Sequence, residues 1–152
     1  MENILTFIID VDGVLSTGQF LYSSKGKVYK VFGPHDADGL KMIENKIDIM
    51  LITADRRGFP ISKKRAHDMG VSIKLVSEED RYEFLKKTYG FNHLIYMGDG
   101  YFDAKILKEC KFGIAPAGAR KEARKAAQFV TESKAGEGAV LDACLEIIRR
   151  FF

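Results

Sequence analysis

The chain has 152 residues, of which 46% are hydrophobic, so it can bury one substantial core but is too short for two domains of ordinary size. We therefore expect a single domain over residues 1–152. Its 24 Lys and Arg residues nearly balance 21 Asp and Glu residues. The net charge of +3 is spread along the chain, which does not favour binding to nucleic acid.

The cysteines and the N-terminal segment exclude several other classes. Cys110 and Cys144 have neither the CxxC spacing of a zinc site nor the setting of a disulfide framework, so both are expected to be small core residues. The apolar segment Ile4 to Ile9 is too short for a signal-peptide core or a membrane span. These features predict a cytoplasmic protein that does not bind membranes.

Five apolar segments predict β-strands, and helical patterns lie between most of them. In chain order, the strands are expected at Ile4 to Ile9, Ile47 to Ile52, Ser72 to Leu75, Leu94 to Met97 and Phe112 to Ala115. The helices are expected at Ala37 to Asn45, Ile61 to Met69, Glu78 to Tyr89, Phe102 to Glu109, Ala119 to Ala127 and Ala139 to Phe152. This alternation indicates an α/β fold in which helices cover both faces of a parallel sheet.

One interval departs from the alternation of strands and helices. Between Gln19 and Phe32, apolar and polar residues alternate around the turn signal Ser23 to Gly26, which predicts a β-hairpin. The hairpin carries more apolar surface than an isolated hairpin usually does. We therefore expect it to pack on the domain itself or on another subunit.

Two short acidic motifs each follow an apolar strand. The first is DVDG, which contains Asp10 and Asp12, and the second is GDGYFD, which contains Asp99 and Asp103. An Asp-Gly pair after a strand often does no more than reverse the chain. However, ligands bind beyond the carboxyl ends of parallel strands, so two such motifs in one chain indicate a shared site.

Four carboxylates at one edge of a sheet repel each other unless a cation lies among them. Magnesium is the natural candidate, because it prefers hard oxygen ligands and is typically held by one or two carboxylates together with substrate phosphate. The same ion removes the electrostatic objection to a carboxylate that attacks an anionic phosphate. The motifs therefore predict a Mg²⁺ site at the carboxyl edge of the sheet.

With these motifs the chain resembles the haloacid dehalogenase-like phosphatases over nearly its whole length. The resemblance implies a Rossmann-like sheet in three layers and catalysis through an aspartyl-phosphate. Asp10 matches the nucleophile of the family, and Asp12 matches the general acid and base that protonates the leaving alcohol and then deprotonates the attacking water. Thr53 matches the second motif, whose hydroxyl and neighbouring backbone hold the phosphoryl group.

The resemblance also assigns the metal ligands. Asp99 matches the magnesium ligand of the fourth motif, with Asp103 and Gly100 in supporting positions. Asp10 would add a side-chain oxygen and Asp12 a backbone carbonyl oxygen.

The third motif departs from the family, which normally places a lysine there to neutralise the nucleophile and the phosphate. Arg81 stands at this position. Arginine keeps the positive charge, but its planar fork differs from a compact ammonium, so the exchange is not neutral. Lys86 and Lys87 lie further along the same predicted helix and are weaker candidates.

The interval between Asp12 and Thr53 is filled by the hairpin and one helix, which leaves no room for a cap domain. Phe32, the pair His35-Asp36 and the segment KAGEGAV at residues 134–140 resemble a capless branch of the family. That branch includes phosphatases of 3-deoxy-D-manno-octulosonate 8-phosphate and of nine-carbon acid sugars. It implies a homotetramer that pairs the hairpins of neighbouring subunits, so that the neighbour takes the place of a cap.

The branch also implies a set of substrate-binding residues, namely Thr53, Ala54, His35 and Lys134. Ala54 and Asp55 stand where a Gly-Arg pair is usual, and His35 stands where arginine is common. These exchanges surround the predicted substrate entrance. The sequence therefore leaves open whether the substrate is 3-deoxy-D-manno-octulosonate 8-phosphate, 2-keto-3-deoxynononate 9-phosphate or sialic acid 9-phosphate.

Two other functions fit parts of the pattern. A weakly active or non-catalytic oligomerisation module, associated with a nucleotide-sugar (acylneuraminate cytidylyl) synthetase, would explain the missing lysine. The retained carboxylates favour the enzyme, since clustered like charges serve no structural purpose in an inert scaffold. A phosphotransfer receiver shares the α/β layout and magnesium, but it gives no reason for the hairpin or for Asp12.

Overall fold

The computed structural model describes residues 4–152, and its centre is a sheet of six parallel strands. The strands in chain order are β1 (Thr6–Asp10), β2 (Ser16–Ser23), β3 (Gly26–Phe32), β4 (Asp48–Thr53), β5 (Ser72–Leu75), β6 (Leu94–Met97), β7 (Phe112–Ala117) and β8 (Phe129–Lys134). The central sheet has the order β5-β4-β1-β6-β7-β8, while β2 and β3 form a separate antiparallel hairpin. The prediction of an α/β fold with a parallel sheet and a hairpin insertion is confirmed.

Helices cover both faces of the sheet. They are α1 (His35–Ile43), α2 (Phe59–Met69), α3 (Glu78–Thr88), α4 (Ala104–Glu109), α5 (Lys121–Ala126) and α6 (Ala139–Phe151). Because side chains alternate along a strand, Phe7 and Ile9 of β1 pack with α1, α2 and α6, whereas Ile8 packs with α3, α4 and α5. The result is the expected three-layer arrangement, with one apolar core on each side of the sheet.

The strand register brings the acidic motifs to one edge. In β1, Asp10 pairs with Ile52 of β4, and Ile9 pairs with Met97 of β6. Thr53, the last residue of β4, and the loop that begins at Gly98 after β6 therefore lie at the same level as Asp10. Because β1 lies between β4 and β6, the first motif lies between Thr53 and the loop that begins at Gly98.

Asp36 fastens α6 to α1. Gly138, which precedes α6, has no side chain that could cap the helix, and Asp36 accepts hydrogen bonds from the free backbone N–H groups of Val140 (2.9 Å) and Leu141 (3.4 Å). Close contact between the two helices is possible because Gly39 lacks a Cβ, which would lie 2.7 Å from the Cα of Leu141. The resemblance at His35-Asp36 thus includes a residue with a structural role.

The hairpin is longer than expected and exposes much of its apolar surface. Its first strand begins at Ser16 rather than Gln19, and the pairing shifts register between Ser16 and Phe20 and again between Leu21 and Tyr22. Large apolar side chains are exposed along both strands: Phe20, Leu21, Tyr22, Val28, Tyr29 and Val31. Within residues 4–152, this surface is left open to solvent.

Strand β8 is the one strand of the central sheet that the sequence pattern did not predict. It lies at the edge of the sheet and pairs with β7 alone. Only Phe129 and Val130 are apolar in its six residues, and Thr131 is the one fully buried side chain. An edge strand with one covered face needs few apolar residues, so it lacks the signal that identified the inner strands.

Among residues 4–152, none of the helices is both long and apolar enough to cross a membrane. Cys110 and Cys144 are both buried and free, as expected for small core residues.

Candidate active site

The first motif forms a tight turn at the end of the central strand. Asp10 is the last residue of β1 and is 8% exposed, and its Oδ1 accepts a hydrogen bond from the backbone N–H of Val11 (3.0 Å). Asp12 then has an extended backbone, and Gly13 has a φ of +85°, which favours glycine. This geometry turns the chain sharply, so that Asp10 and Asp12 both face the carboxyl edge of the sheet.

Three carboxylates converge at this edge. One oxygen from each of Asp10, Asp99 and Asp103 lies within 4.8 Å of the others. Asp103 already uses both of its oxygens: Oδ1 accepts from the Tyr96 hydroxyl (2.6 Å), and Oδ2 accepts from the backbone N–H groups of Asp99 (3.1 Å) and Gly100 (2.8 Å). Asp103 therefore shapes the loop, while Asp10 and Asp99 keep oxygens available for a cation.

The crowding of these carboxylates raises their pKa values. Burial raises the pKa of Asp10 well above its usual range; Arg81 opposes this shift, and the charges of Asp103, Asp99 and Asp12 add to it. Burial and the neighbouring charge of Asp103 raise the pKa of Asp99 to about 6. Anionic Asp10 and Asp99 therefore need a compensating cation, and a set of hard carboxylate oxygens fits Mg²⁺.

Arg81 supplies part of that positive charge. Its guanidinium is buried beneath Asp10, with Nη1 at 3.3 Å from Asp10 Oδ1, 3.4 Å from Asp103 Oδ1 and 3.1 Å from the Tyr96 hydroxyl. Helix α3 positions this residue and is capped by Ser77, whose side chain accepts from the backbone N–H of Asp80. The arginine at the third-motif position thus lies beside the predicted nucleophile.

Gly13 allows Asp99 to approach the first motif. A Cβ at Gly13 would lie 2.1 Å from Oδ2 of Asp99, well inside van der Waals contact. We therefore expect Gly13→Ala to displace the Asp99 carboxylate and to abolish the thermal stabilisation that Mg²⁺ gives to the wild-type protein. The measurement is the melting temperature at increasing Mg²⁺ concentration.

Gly70→Ala is the matched control for this substitution. Gly70 also has a positive φ, +68°, but a Cβ there would meet no atom within 4 Å. Both variants pay a backbone cost of about 1–2 kcal/mol, and only Gly13→Ala should lose the response to Mg²⁺. An equal response in the two variants would contradict the placement of Asp99 in the metal site.

Asp12 is held from the hairpin side by a lysine that the sequence analysis missed. The Nζ of Lys30, in β3, lies 2.9 Å from Asp12 Oδ1 and donates to Ser62 Oγ (2.9 Å). It also forms an ion pair with Asp55 Oδ2 at 2.9 Å, and Lys27 pairs with the same oxygen at 2.8 Å. Although burial opposes the shift, these lysines lower the pKa of Asp55 to about 2.

A cleft of about 960 Å³ opens above these groups. The predicted site residues that line it are Asp10, Asp12, Thr53, Ala54, Arg81, Asp99, Gly100 and Asp103. Thr53 is buried, and its Oγ1 accepts from the backbone N–H of Asp55 (3.1 Å). The structure therefore brings the first, second, third and fourth motifs into one cavity.

The two remaining substrate-binding predictions lie outside this cleft. His35 is exposed at the start of α1 and does not line it. Lys134 is exposed at the end of β8 and lines a smaller pocket that shares Gly13 and Asp99 with the site. Within a single chain neither side chain lines the main cleft, and their roles stay predictions.

The chain is similar to known phosphatases over nearly its full length. Residues 25–143 match the haloacid dehalogenase-like hydrolase family. The 3-deoxy-D-manno-octulosonate 8-phosphate phosphatase of Haemophilus influenzae is 31% identical over 144 residues, which cover 91% of this chain and 79% of that protein. The enzyme of that name from Yersinia pestis is 30% identical over 148 residues, with 93% and 78% covered.

A solved structure agrees with these sequence relatives. The 3-deoxy-D-manno-octulosonate 8-phosphate phosphatase of Moraxella catarrhalis, determined with magnesium, phosphate and KDO, superposes with a TM-score of 0.84. It is 30% identical, and the match covers 97% of this chain and 87% of that one. The chain therefore belongs to the haloacid dehalogenase-like hydrolases, in their capless phosphatase branch, and it is a phosphatase.

Proposed function

We propose that the chain is a Mg²⁺-dependent phosphomonoesterase that acts on an acid-sugar phosphate through an aspartyl-phosphate on Asp10. The observation that carries this proposal is the cluster at the floor of the cleft, where Arg81 lies 3.3 Å from Asp10 and Asp99 lies on the other side. Magnesium, held by Asp10, Asp99 and the backbone carbonyl of Asp12, would neutralise phosphate and carboxylate charge.

In the first step, a carboxylate oxygen of Asp10 attacks the phosphorus atom. The bond between phosphorus and the sugar oxygen breaks, its electron pair stays on that oxygen, and Asp12 gives up a proton to form the alcohol. Thr53 would hold a phosphoryl oxygen with its hydroxyl. Arg81 would stabilise the negative charge that spreads over the phosphoryl group in the transition state.

In the second step, a water molecule attacks the phosphorus of the aspartyl-phosphate. Asp12, now anionic, accepts a proton from this water, and the bond between phosphorus and Asp10 breaks with its electron pair returning to the carboxylate. Inorganic phosphate leaves, and both aspartates regain their starting states. Asp12 thus serves as acid and then as base, which requires a carboxylate that stays in one position through both steps.

The substrate class follows from the relatives and from the cleft. The matched enzymes are named for a phosphate ester of an eight-carbon acid sugar. In this chain Lys105 lines the cleft together with Arg81, and these cations suit a substrate that carries a carboxylate as well as a phosphate. Asp55 replaces the arginine that is usual in this branch, so a related sugar of eight or nine carbons is the proposed substrate class.

A sugar-phosphate screen tests this function. Purified protein with Mg²⁺ is incubated with the 8-phosphate of 3-deoxy-D-manno-octulosonate, the 9-phosphates of 2-keto-3-deoxynononate and sialic acid, and neutral hexose phosphates as controls. We expect phosphate release from at least one acid-sugar phosphate, faster than from the neutral sugars, and none in excess chelator. If no ester is hydrolysed, the function is wrong and the non-catalytic module associated with a nucleotide-sugar synthetase becomes the better explanation.

We further propose that the chain is one capless domain, located in the cytoplasm, which assembles into a homotetramer through the hairpin. Leu21, Tyr22 and Tyr29 are each about 60% exposed on the hairpin, and such apolar side chains are usually covered by a partner. Leu21→Glu together with Tyr29→Glu should convert the assembly into monomers, because each change places a charge in the interface. Sedimentation velocity at micromolar concentration measures the change.

Met42→Glu together with Leu145→Glu is the matched control for the hairpin variant. Both residues are exposed to a similar degree, 47% each, but lie on α1 and α6 rather than on the hairpin. This control should sediment like the wild-type protein. A wild-type monomer that is fully active at micromolar concentration would remove the tetramer from the proposal.

A further inference from the structure

Lys30 is a buried cation between the hairpin and the predicted catalytic loop. Its side chain is fully buried, although lysine seldom is unless it is paired. Its ammonium donates hydrogen bonds to Asp12 Oδ2 (3.1 Å) and Ser62 Oγ (2.9 Å), and it forms an ion pair with Asp55 Oδ2 at 2.9 Å. The charge of the buried lysine is therefore balanced by two carboxylates.

The surrounding chain leaves space for this ammonium. A Cβ at Gly58 would lie 2.8 Å from Cε of Lys30 and 2.2 Å from Oδ2 of Asp55. Ser62, which is 1% exposed, presents its hydroxyl from α2 on the far side. The ammonium is thus held by groups from α2 and from the loop after β4, and it cannot follow Asp12 if that carboxylate moves.

Asp12 is less restrained without the lysine. Its side chain is 20% exposed at the cleft, and apart from the contacts with Lys30 its one side-chain hydrogen bond within residues 4–152 is a long one of 3.5 Å from Ser16. The carboxylates of Asp10 and Asp99 lie nearby and repel it. Lys30 therefore makes the shortest polar contacts of the Asp12 carboxylate within residues 4–152.

We propose that Lys30 is a positioning residue that holds the carboxylate of Asp12 in reach of the leaving oxygen. The inference rests on the proposed phosphatase function, and it links the hairpin directly to the chemistry. If the hairpin packs against a neighbouring subunit, the same lysine makes the position of Asp12 depend on that packing. Lys30 acts through Asp12 and does not itself touch the substrate.

The test uses leaving groups that differ in their need for a proton. A sugar alcohol leaves only when it is protonated, whereas p-nitrophenolate leaves readily as the anion. Transfer of the phosphoryl group from p-nitrophenyl phosphate to Asp10 therefore depends little on Asp12. In Lys30→Met, the single-turnover rate of phosphoryl transfer from the sugar phosphate that the wild type hydrolyses should fall about tenfold or more. The reason is that general acid catalysis commonly contributes at least about a hundredfold to such a rate. The rate of phosphoryl transfer from p-nitrophenyl phosphate should change by no more than about threefold, and KM for either ester should change little.

Lys27→Met is the matched control. Lys27 lies in the same strand and pairs with the same oxygen of Asp55, but its ammonium stacks on Phe20 and makes no contact with Asp12. The ratio of the two transfer rates should therefore stay at the wild-type value in Lys27→Met. An altered ratio in this variant, equal to that of Lys30→Met, would mean that the hairpin attachment as a whole is responsible and would overturn the specific role of Lys30.

Ser62→Ala decides the case if Lys30→Met fails to fold. It removes one acceptor of the ammonium with little change in volume, and it should shift the rate ratio in the same direction by a smaller factor. Equal loss with both esters in whichever variant folds would overturn the inference. A wild-type protein that hydrolyses no sugar phosphate would instead refute the proposed function, so the two failures are distinguishable.

Discussion

Asp10→Asn is expected to abolish phosphate release from every ester that the wild type hydrolyses. The amide nitrogen and oxygen are poor nucleophiles, and the neutral side chain offers the metal no charge. Loss of a covalent nucleophile commonly costs at least about a thousandfold in kcat. The measurement is phosphate release with saturating Mg²⁺, together with a search for phosphoprotein after rapid acid quench, which should be found in the wild type alone.

The stability of this variant separates lost chemistry from lost folding. Burial raises the pKa of folded Asp10 above its unfolded value, so its carboxyl group costs folding free energy once the pH exceeds the unfolded pKa, and this cost grows until the pH passes the raised pKa. The neutral amide removes this cost. We therefore expect metal-free Asp10→Asn to be at least as stable as the wild type at pH 7, although it is inactive.

Asp48→Asn is the control for the same chemical change. Asp48 is exposed at the opposite end of β4, the strand that pairs with β1. It should keep wild-type turnover. Full activity in Asp10→Asn, or an inactive Asp48→Asn, would contradict the assignment of the nucleophile.

The parts of the fold that could be predicted are those with a strong local signal. The four inner strands of the central sheet, such as Leu94–Met97, are runs of mainly apolar residues with helices on both faces, and each ends close to the predicted residue. The sites at their carboxyl ends follow from parallel topology alone. The edge strand Phe129–Lys134 has a mixed composition, so its identity depends on β7, which the local sequence does not contain.

The residues of the candidate site also fall into those that the sequence could predict and one that it could not. Asp10, Asp12, Asp99 and Asp103 could be predicted because they follow apolar strands in recognisable motifs. Lys30 was missed because its partners Asp55 and Ser62 are distant in sequence, and a lysine in a hairpin is ordinarily solvated. The available signal was its position in β3, where a charged residue lies between the apolar residues Tyr29 and Val31.

Tyr96 illustrates a second limit of sequence reasoning. It lies in the strand that the apolar segment Leu94 to Met97 predicted, and its ring is fully buried. Its hydroxyl nevertheless donates to Asp103 and accepts from Arg81, and burial raises its pKa well above the usual value, so it stays protonated. A buried hydroxyl needs a partner, but only the folded structure tells which one.

Arg81 leads to the second large effect: Arg81→Ala should lower kcat by about a hundredfold or more. The guanidinium stands beside Asp10, where the proposed mechanism concentrates negative charge in the transition state, and one lost contact of this kind commonly costs that much. Its removal also leaves the Asp103 carboxylate and Tyr96 hydroxyl with one partner fewer. Steady-state kinetics with a sugar phosphate measure the change, and a thermal melt confirms that the variant folds.

Lys87→Ala controls for the loss of a cation from α3. Lys87 is exposed on the same helix and lines no part of the cleft, so its removal should change kcat by less than about twofold. Wild-type turnover in Arg81→Ala would refute the role of Arg81. It would also support a site in which Asp99 and the metal alone balance the charge of Asp10.

The Arg81→Lys variant tests whether catalysis requires only a positive charge at this position or the planar guanidinium fork of arginine. All three short contacts of Arg81 converge on Nη1, while its Nε is buried and finds no hydrogen-bond partner within residues 4–152. The arginine is therefore used as a single point of charge, which the ammonium of a lysine can also supply. A lysine would also remove the buried unpaired N–H of Nε, which lowers the stability of the fold by about 1–3 kcal/mol. We expect Arg81→Lys to keep kcat within about tenfold of the wild type and to match its stability. If Arg81→Lys were as inactive as Arg81→Ala, the second terminal nitrogen of the fork would be needed at the phosphoryl group, and the exchange at the third motif would be a functional specialisation rather than a tolerated substitution.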